Sequence, residues 1–210
     1  MNLNQTLQQY FDDLSSNAPT PGGGNVSALC GALSASLGTM VCSLTIGKKK
    51  YADVENEMKE LKPKLEQYQK NFFELAQKDN EAFNKVMDAF KLPKETDADK
   101  EFRSQKIEEA TIEAAEVPSD AMKNCYDILP LLKIVAERGN KNSLSDAGVA
   151  IALTRTAVHG AYLNVLINCS SLNNQTIADE IRKRAEIIFD EVENLTTVLL
   201  DSITKSMMPS

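Results

Sequence analysis

Apolar residues recur at three- and four-residue intervals along nearly the whole chain, and this period predicts helices and no strands. The first expected helix covers about residues 3 to 15, with Leu3, Leu7, Tyr10, Phe11 and Leu14 on one face. The turn from Asn17 to Gly24 ends it. A second helix, about residues 25 to 46, carries two stripes. Leu29, Leu33, Leu37, Met40, Val41 and Leu44 form a large one, and Gly31, Ser34, Gly38 and Cys42 a small one. Both faces are suited to packing, which places this helix in the middle of the protein.

A long third helix follows Val54, Met58, Leu61, Leu65, Tyr68, Phe72, Leu75, Ala82 and Val86, with Pro63 expected to kink it or delay its start. The segment Lys91 to Lys100 reads as a loop, with Thr96 or Asp97 capping the next helix. In the fourth helix, Pro118 and Pro130 interrupt the stripe Ile107, Ala110, Ala114, Val117, Ala121, Ile128, Leu131 and Val135, so a bent or split helix is expected. Arg138-Gly139 is its stop signal. A fifth helix, residues 145 to 169, is rich in Gly and Ala and suited to pack against the second. The last, residues 177 to 205, is amphipathic. The reading is all-α: a multi-helix up-and-down bundle with buried central helices, forming a single domain over residues 1–210.

Composition narrows the function classes. A formal net charge of −7 argues against nucleic-acid binding, which needs a basic surface. Four cysteines without a CxxC motif, and a single histidine, fit neither a structural zinc site nor a disulfide framework. A reduced, cytoplasmic setting is the simplest reading. The polar N-terminus does not read as a signal peptide. The uncharged run from Leu14 to Gly47, followed by Lys48, Lys49 and Lys50, has the outline of a membrane span. Between Ser27 and Thr45, however, thirteen residues are small and only six are large and apolar. A buried helix is expected and no membrane segment.

Three glycines, Gly22, Gly23 and Gly24, open the second helix. A phosphate-binding loop would need a Gly-Lys-Ser/Thr ending and a preceding strand, and a dinucleotide fingerprint a glycine at position 27, where Ser27 stands. What is left is a turn with free amides at a helix start, able to meet a carboxylate, a carbonyl or a flat ligand, or simply to make a tight entry.

Asp79 occupies an apolar slot between Leu75 and Ala82. Burial there would suit it to proton transfer, and an inter-helix salt bridge or hydrogen bond is the structural alternative. Asp146 stands in a helix first turn, where capping alone could account for it, amid Asn140, Asn142, Ser143 and Ser145. Asn164 and Asn168 lie one turn apart and need partners, either a hydrogen-bonding heterocycle or a neighbouring helix. His159, the lone histidine, reads as packed or half exposed. The lysines at 48–50 could attract an anionic tail or complement a helix C-terminus.

Several stretches, in order, resemble the cyclodeaminase/cyclohydrolase family of folate enzymes, a domain also found fused behind formiminotransferase in the bifunctional animal enzyme. They are Pro21-Gly-Gly-Gly-Asn-Val, Gly47-Lys-Lys-Lys-Tyr51, Asp79-Asn-Glu-Ala-Phe83, Lys91-Leu-Pro93, Val117-Pro118, Gly139-Asn140 with Ser145-Asp146, and Gly160-Ala-Tyr-Leu-Asn-Val-Leu-Ile-Asn168. The chain departs from the family where Asn25 follows the glycines, a place often held by Ser, and at His159, where the family accepts apolar residues.

The resemblance implies an all-α homodimer acting on tetrahydrofolate one-carbon derivatives, with or without a polyglutamate tail. Cyclodeaminases convert 5-formimino-tetrahydrofolate to 5,10-methenyl-tetrahydrofolate and ammonia. Cyclohydrolases interconvert the methenyl form and 10-formyl-tetrahydrofolate. Cyclodeaminase is the first expectation and cyclohydrolase the second. A helical dimer that binds folate or a protein partner without turnover is the third. On this resemblance Asp79 and Asp146 are the candidate catalytic carboxylates, one for acid–base work and one to orient the ligand. Gly22, Gly23, Gly24, Asn25, Lys48, Asn140, Ser145 and Asn164 are the candidate substrate-binding residues. No metal, and no cofactor beyond the folate substrate, is expected.

Overall fold

The computed structural model describes residues 5–208. Among them six α-helices follow one another: α1 (Leu7–Leu14), α2 (Gly23–Thr45), α3 (Glu55–Phe90), α4 (Asp97–Arg138), α5 (Leu144–Ser170) and α6 (Gln175–Met207). Short 3₁₀ turns, Lys49–Tyr51 and Lys141–Ser143, precede α3 and α5. The all-α expectation holds, and no strand occurs among the described residues. Leu3, expected in the first helix, lies outside the described residues.

Side-chain neighbours fix the helix directions. Along α2 and α3, Gly24 meets Asp79, Gly31 meets Phe72 and Gly38 meets Leu65, so these two run antiparallel. Ser27 meets Gly160, Ser34 Oγ lies 2.7 Å from Thr154 Oγ1, and the Asn140 N–H donates to Thr45 Oγ1 at 2.9 Å. Hence α5 is antiparallel to α2 as well. Asn71 with Asn124 and Glu57 with Arg138 set α3 against α4. Tyr162 with Phe189 and Arg155 with Glu193 do the same for α5 and α6. The result is an up-and-down bundle in which α2 touches α3, α4 and α5, and α6 covers α4 and α5.

Small residues let these helices approach closely. Gly31 faces the Phe72 ring so tightly that a methyl group there would sit 2.5 Å from it. Gly24, Ala28, Gly31, Ala35, Gly38 and Cys42 form the buried stripe of α2. The expectation that its large stripe is packed too is met only in part within the chain, by Val41, which is buried, and Leu37, which packs against the core. Leu33, Met40 and Leu44 remain exposed, with 48%, 37% and 40% of their surface accessible. The first helix shows the same departure: Tyr10 alone is buried, while Leu7, Phe11 and Leu14 are open.

The prolines interrupt less than their chemistry suggests. Pro63 lies inside a continuous α3, and Pro118 and Pro130 inside a continuous α4. Pro63 and Pro130 are exposed, where water can hydrate the carbonyls their missing N–H groups leave free. Pro118 is buried, and the carbonyl four residues before it, of Ala114, accepts a hydrogen bond from Asn168 Nδ2 of α5 at 2.6 Å. A side-chain amide thus replaces the lost backbone donor, which is the helix–helix role for Asn168. The expected cap before α4 is Thr96, which forms a reciprocal box with Asp99, and helix begins at Asp97.

Candidate functional site

The antiparallel register of α2, α3 and α5 brings six of the expected residues, Gly22, Gly23, Gly24, Asn25, Asp79 and Asn164, to one end of the bundle. Asp79 of α3 lies directly over Gly24 in the first turn of α2, where a side chain larger than hydrogen would collide with its carboxylate. Gly24 is therefore required for close approach rather than for an unusual backbone angle. Asn164 of α5 stands beside Gly23, its Nδ2 3.3 Å from where a β-carbon would be. Gly22 is the N-cap of α2 and has no capping side chain, so the helix start presents bare backbone amides. These amides and the positive end of the helix dipole favour negative charge at this point.

Asp79 is half-buried, and burial pushes its carboxyl above the ordinary aspartate value, partly countered by the Asn25 backbone N–H that hydrogen-bonds it. No ion pair to it occurs among the described residues, and the inter-helix contact expected as the structural alternative takes the form of that hydrogen bond from α2. Asn164 spends one amide hydrogen on the Gly160 carbonyl at 2.8 Å within its own helix. Gly160 in turn is needed where Ser27 presses on α5.

Asn25 has a different task from the one expected. It is fully buried, so its side chain cannot touch a substrate. Its Oδ1 accepts from the Tyr10 hydroxyl at 2.8 Å, and its Nδ2 donates to the Ala76 carbonyl at 2.7 Å and to Asn80 Oδ1 at 3.3 Å. The family's usual Ser has no arm long enough for both sides of that bridge. Tyr10 and Asn80 thereby join the site. Their signals in the sequence, an aromatic in a helix stripe and an Asn beside Asp79, are shared by many core residues.

The other expected residues lie at the far end of α2. Asn140 donates through Nδ2 to the Leu44 carbonyl at 3.0 Å and accepts the Asn142 N–H at 3.1 Å, so its side chain closes the C-terminus of α2 and the following turn. Lys48 and Ser145 are exposed there, and Asp146 sits in the first turn of α5. From Gly23 to Thr45, α2 rises by roughly 33 Å, and from Asp146 to Asn164, α5 rises by roughly 27 Å. Within one chain, Asp79 and Asp146 cannot serve the same atom. His159 is outside both clusters, edge-on to Phe189 at 5.0 Å and beside Glu193 on the α6 side.

None of the four cysteines is paired. Burial raises the pKa of each, that of Cys42 to about 11, which keeps the thiols protonated and chemically quiet. Among the described residues no three His, Cys, Asp or Glu side chains cluster as a metal site would require.

Against this geometry, comparison with known proteins is decisive at the level of family. The formiminotransferase-cyclodeaminase family model matches residues 6–187. The chain belongs to that family. It is 40% identical over 200 residues to a methenyltetrahydrofolate cyclohydrolase of Methylorubrum extorquens, a match covering 95% of this chain and 96% of that protein. The formimidoyltransferase-cyclodeaminase of Rattus norvegicus is 29% identical over 201 residues, but this chain spans only 37% of its length. The crystal structure of a formiminotetrahydrofolate cyclodeaminase from Thermotoga maritima superimposes with a TM-score of 0.81 at 32% identity, covering 96% of this chain and 98% of that one. The family membership extends over the Asp79 cluster and the Asp146 cluster alike, since both lie within the matched residues.

Proposed function

We propose that this chain is an enzyme of folate one-carbon metabolism that acts at the bridge between N5 and N10 of tetrahydrofolate. Its first reaction is formimidoyltetrahydrofolate cyclodeamination. N10 attacks the formimino carbon, the carbon–nitrogen bond to the terminal nitrogen breaks, and ammonia leaves as the 5,10-methenyl cation forms. The observation that carries this reading is the Asp79 carboxyl, held above its ordinary pKa over the open first turn of α2. A carboxyl of that kind can give a proton to the departing nitrogen and, once ionised, stabilise the amidinium-like product. The bare amides at Gly22 to Gly24 and the Asn164 side chain then serve as hydrogen-bonding partners for the flat ring system. The folate is substrate, and no further cofactor enters this reading.

The full-length likeness to the M. extorquens cyclohydrolase supports a second reaction at the same site. There water adds to the methenyl carbon, the bond to N5 breaks, and 10-formyl-tetrahydrofolate and a proton result. Absorbance of the methenyl chromophore separates the two. Purified protein forming it from 5-formimino-tetrahydrofolate is a cyclodeaminase, and protein hastening its loss without that formation is a cyclohydrolase. No change with either substrate would overturn the enzymatic reading and favour a folate- or protein-binding helical dimer.

The working unit in this proposal is a homodimer in the cytoplasm. Support comes from the outer faces of α2 and α5, where Leu33, Met40 and Leu44 on α2 and Val149, Leu163 and Ile167 on α5 lie open. No charged residue occurs in α2, and Arg155 of α5 is turned away to Glu193. Two such helices about 9 Å apart present an apolar strip of roughly 600 Å², close to what one partner contributes to a stable dimer. A twofold axis through this strip at right angles to α2 sets α2 antiparallel to its copy. The Asp79 end of one subunit then faces the Lys48, Asn140 and Asp146 end of the other, giving Asp146 a route to the ligand and Lys48 to an anionic polyglutamate tail.

A further inference from the structure

Tyr10 is the one residue through which α1 enters the core. Its hydroxyl and the Asn25 side chain meet in a dry space, with 1% and 0% of their surfaces exposed. The Ala76 carbonyl can only accept, so Asn25 must turn Nδ2 toward it and Oδ1 toward Tyr10. The tyrosine is then obliged to donate, and the amide cannot flip without setting two acceptors against each other. Ala76 and Asn80, the two contacts of Asn25 Nδ2 on α3, lie three residues before and one residue after Asp79. The same Asn25 offers its backbone N–H to the Asp79 carboxyl. One residue therefore ties the start of α2 to α3 on both sides of the carboxylate, and Tyr10 sets the orientation of that tie.

We propose that Tyr10 is a positioning residue: through Asn25 it fixes the first turn of α2 against Asp79, in the geometry that proton transfer needs. This rests on the reading of Asp79 as the acid–base group. Removing the hydroxyl leaves a buried acceptor without a donor, and the first turn relaxes to find another partner. Displacements of about 1 Å at such a distance from the chemistry cost on the order of a hundredfold in rate.

The test is a cycle of Tyr10→Phe, Asn25→Ala and the double variant in the full chain, following methenyl absorbance at saturating and limiting substrate. Tyr10→Phe keeps the buried ring and so keeps the fold. The expected result is a kcat about tenfold lower with KM within about twofold, and a double variant no slower than Asn25→Ala, because both changes break one linkage. Unchanged kcat in Tyr10→Phe, a loss confined to KM, or independent multiplying losses would overturn the proposal. Amide hydrogen exchange reads the same contact without turnover. Exchange at Gly24 to Val26 should quicken about tenfold in Tyr10→Phe while α3 amides around Phe72 hold their rates. That response in a wild-type protein inactive on both folate substrates would retain Tyr10 as the anchor of the turn and discard the chemistry assigned to Asp79. Unaltered exchange would overturn the anchoring itself.

Discussion

Asp79 shows how much one carboxyl can be changed by its surroundings. Removal from water favours its neutral form, and the single opposing backbone N–H does not cancel that. Because the folded-state pKa is raised, its contribution to folding is intact below the ordinary aspartate value, about 3.9, and is lost as pH rises through the raised one. Asp79→Asn should therefore raise the thermal midpoint at pH 8, with the gain shrinking to nothing as the pH falls below that of a free aspartate. Melting curves across pH check this. Activity should fall by about 10²- to 10⁴-fold with helical circular dichroism unchanged. Full activity in the variant would remove Asp79 from the mechanism. Its oddity was legible in the sequence as a charge in an apolar stripe, whereas its partner Asn25 was not. Asn25 follows a glycine turn and looks exposed, and only the arrival of Ala76 and Tyr10 buries it.

At the scale of elements, the helices follow from local pattern, but their continuity does not. A proline predicts a break because it lacks an N–H, yet α4 passes through Pro118 because Asn168, fifty residues later, supplies the missing donor to Ala114. Asn168→Ala should cost about 1–3 kcal/mol in urea denaturation by orphaning that buried carbonyl. Adding Pro118→Ala should recover most of it, since an alanine brings its own N–H back to the same acceptor. Equal stability of the single and double variants would sink this account of the helix. Boundaries shifted for smaller reasons. The first turn of α2 takes in Gly23 and Gly24, ahead of the expected start at residue 25.

For the whole molecule, the question is what covers α2 and α5. Both are long and apolar enough to cross a membrane by length and composition alone, and about half of the α2 window and two fifths of the α5 window are already buried in the bundle. The remainder is the shared uncharged strip. A dimer through it predicts that Leu33→Asp, a change at a position already 48% exposed in one chain, leaves the fold intact. The variant should sediment at 23.1 kDa where the wild type runs at twice that mass, and it should lose most of its activity along with the partner's Asp146. A wild type that sediments as a single chain would refute the dimer. A monomeric but fully active variant would place the whole reaction at the Asp79 end.

What the sequence by itself determined are properties carried by near neighbours along the chain. The 3.6-residue period made the helices, the small residues of α2 marked the face of closest approach, and Asp79 stood out as the wrong residue for its stripe. Tertiary structure alone decided which residues meet. The antiparallel register puts Gly23, Gly24, Asp79 and Asn164 at one end of the bundle, and Lys48, Asn140, Ser145 and Asp146 at the other. Register is set by contacts between residues far apart in the chain, such as Gly24 with Asp79 and Gly23 with Asn164. No local period encodes those contacts, because each depends on how two helix surfaces interlock rather than on how either one repeats.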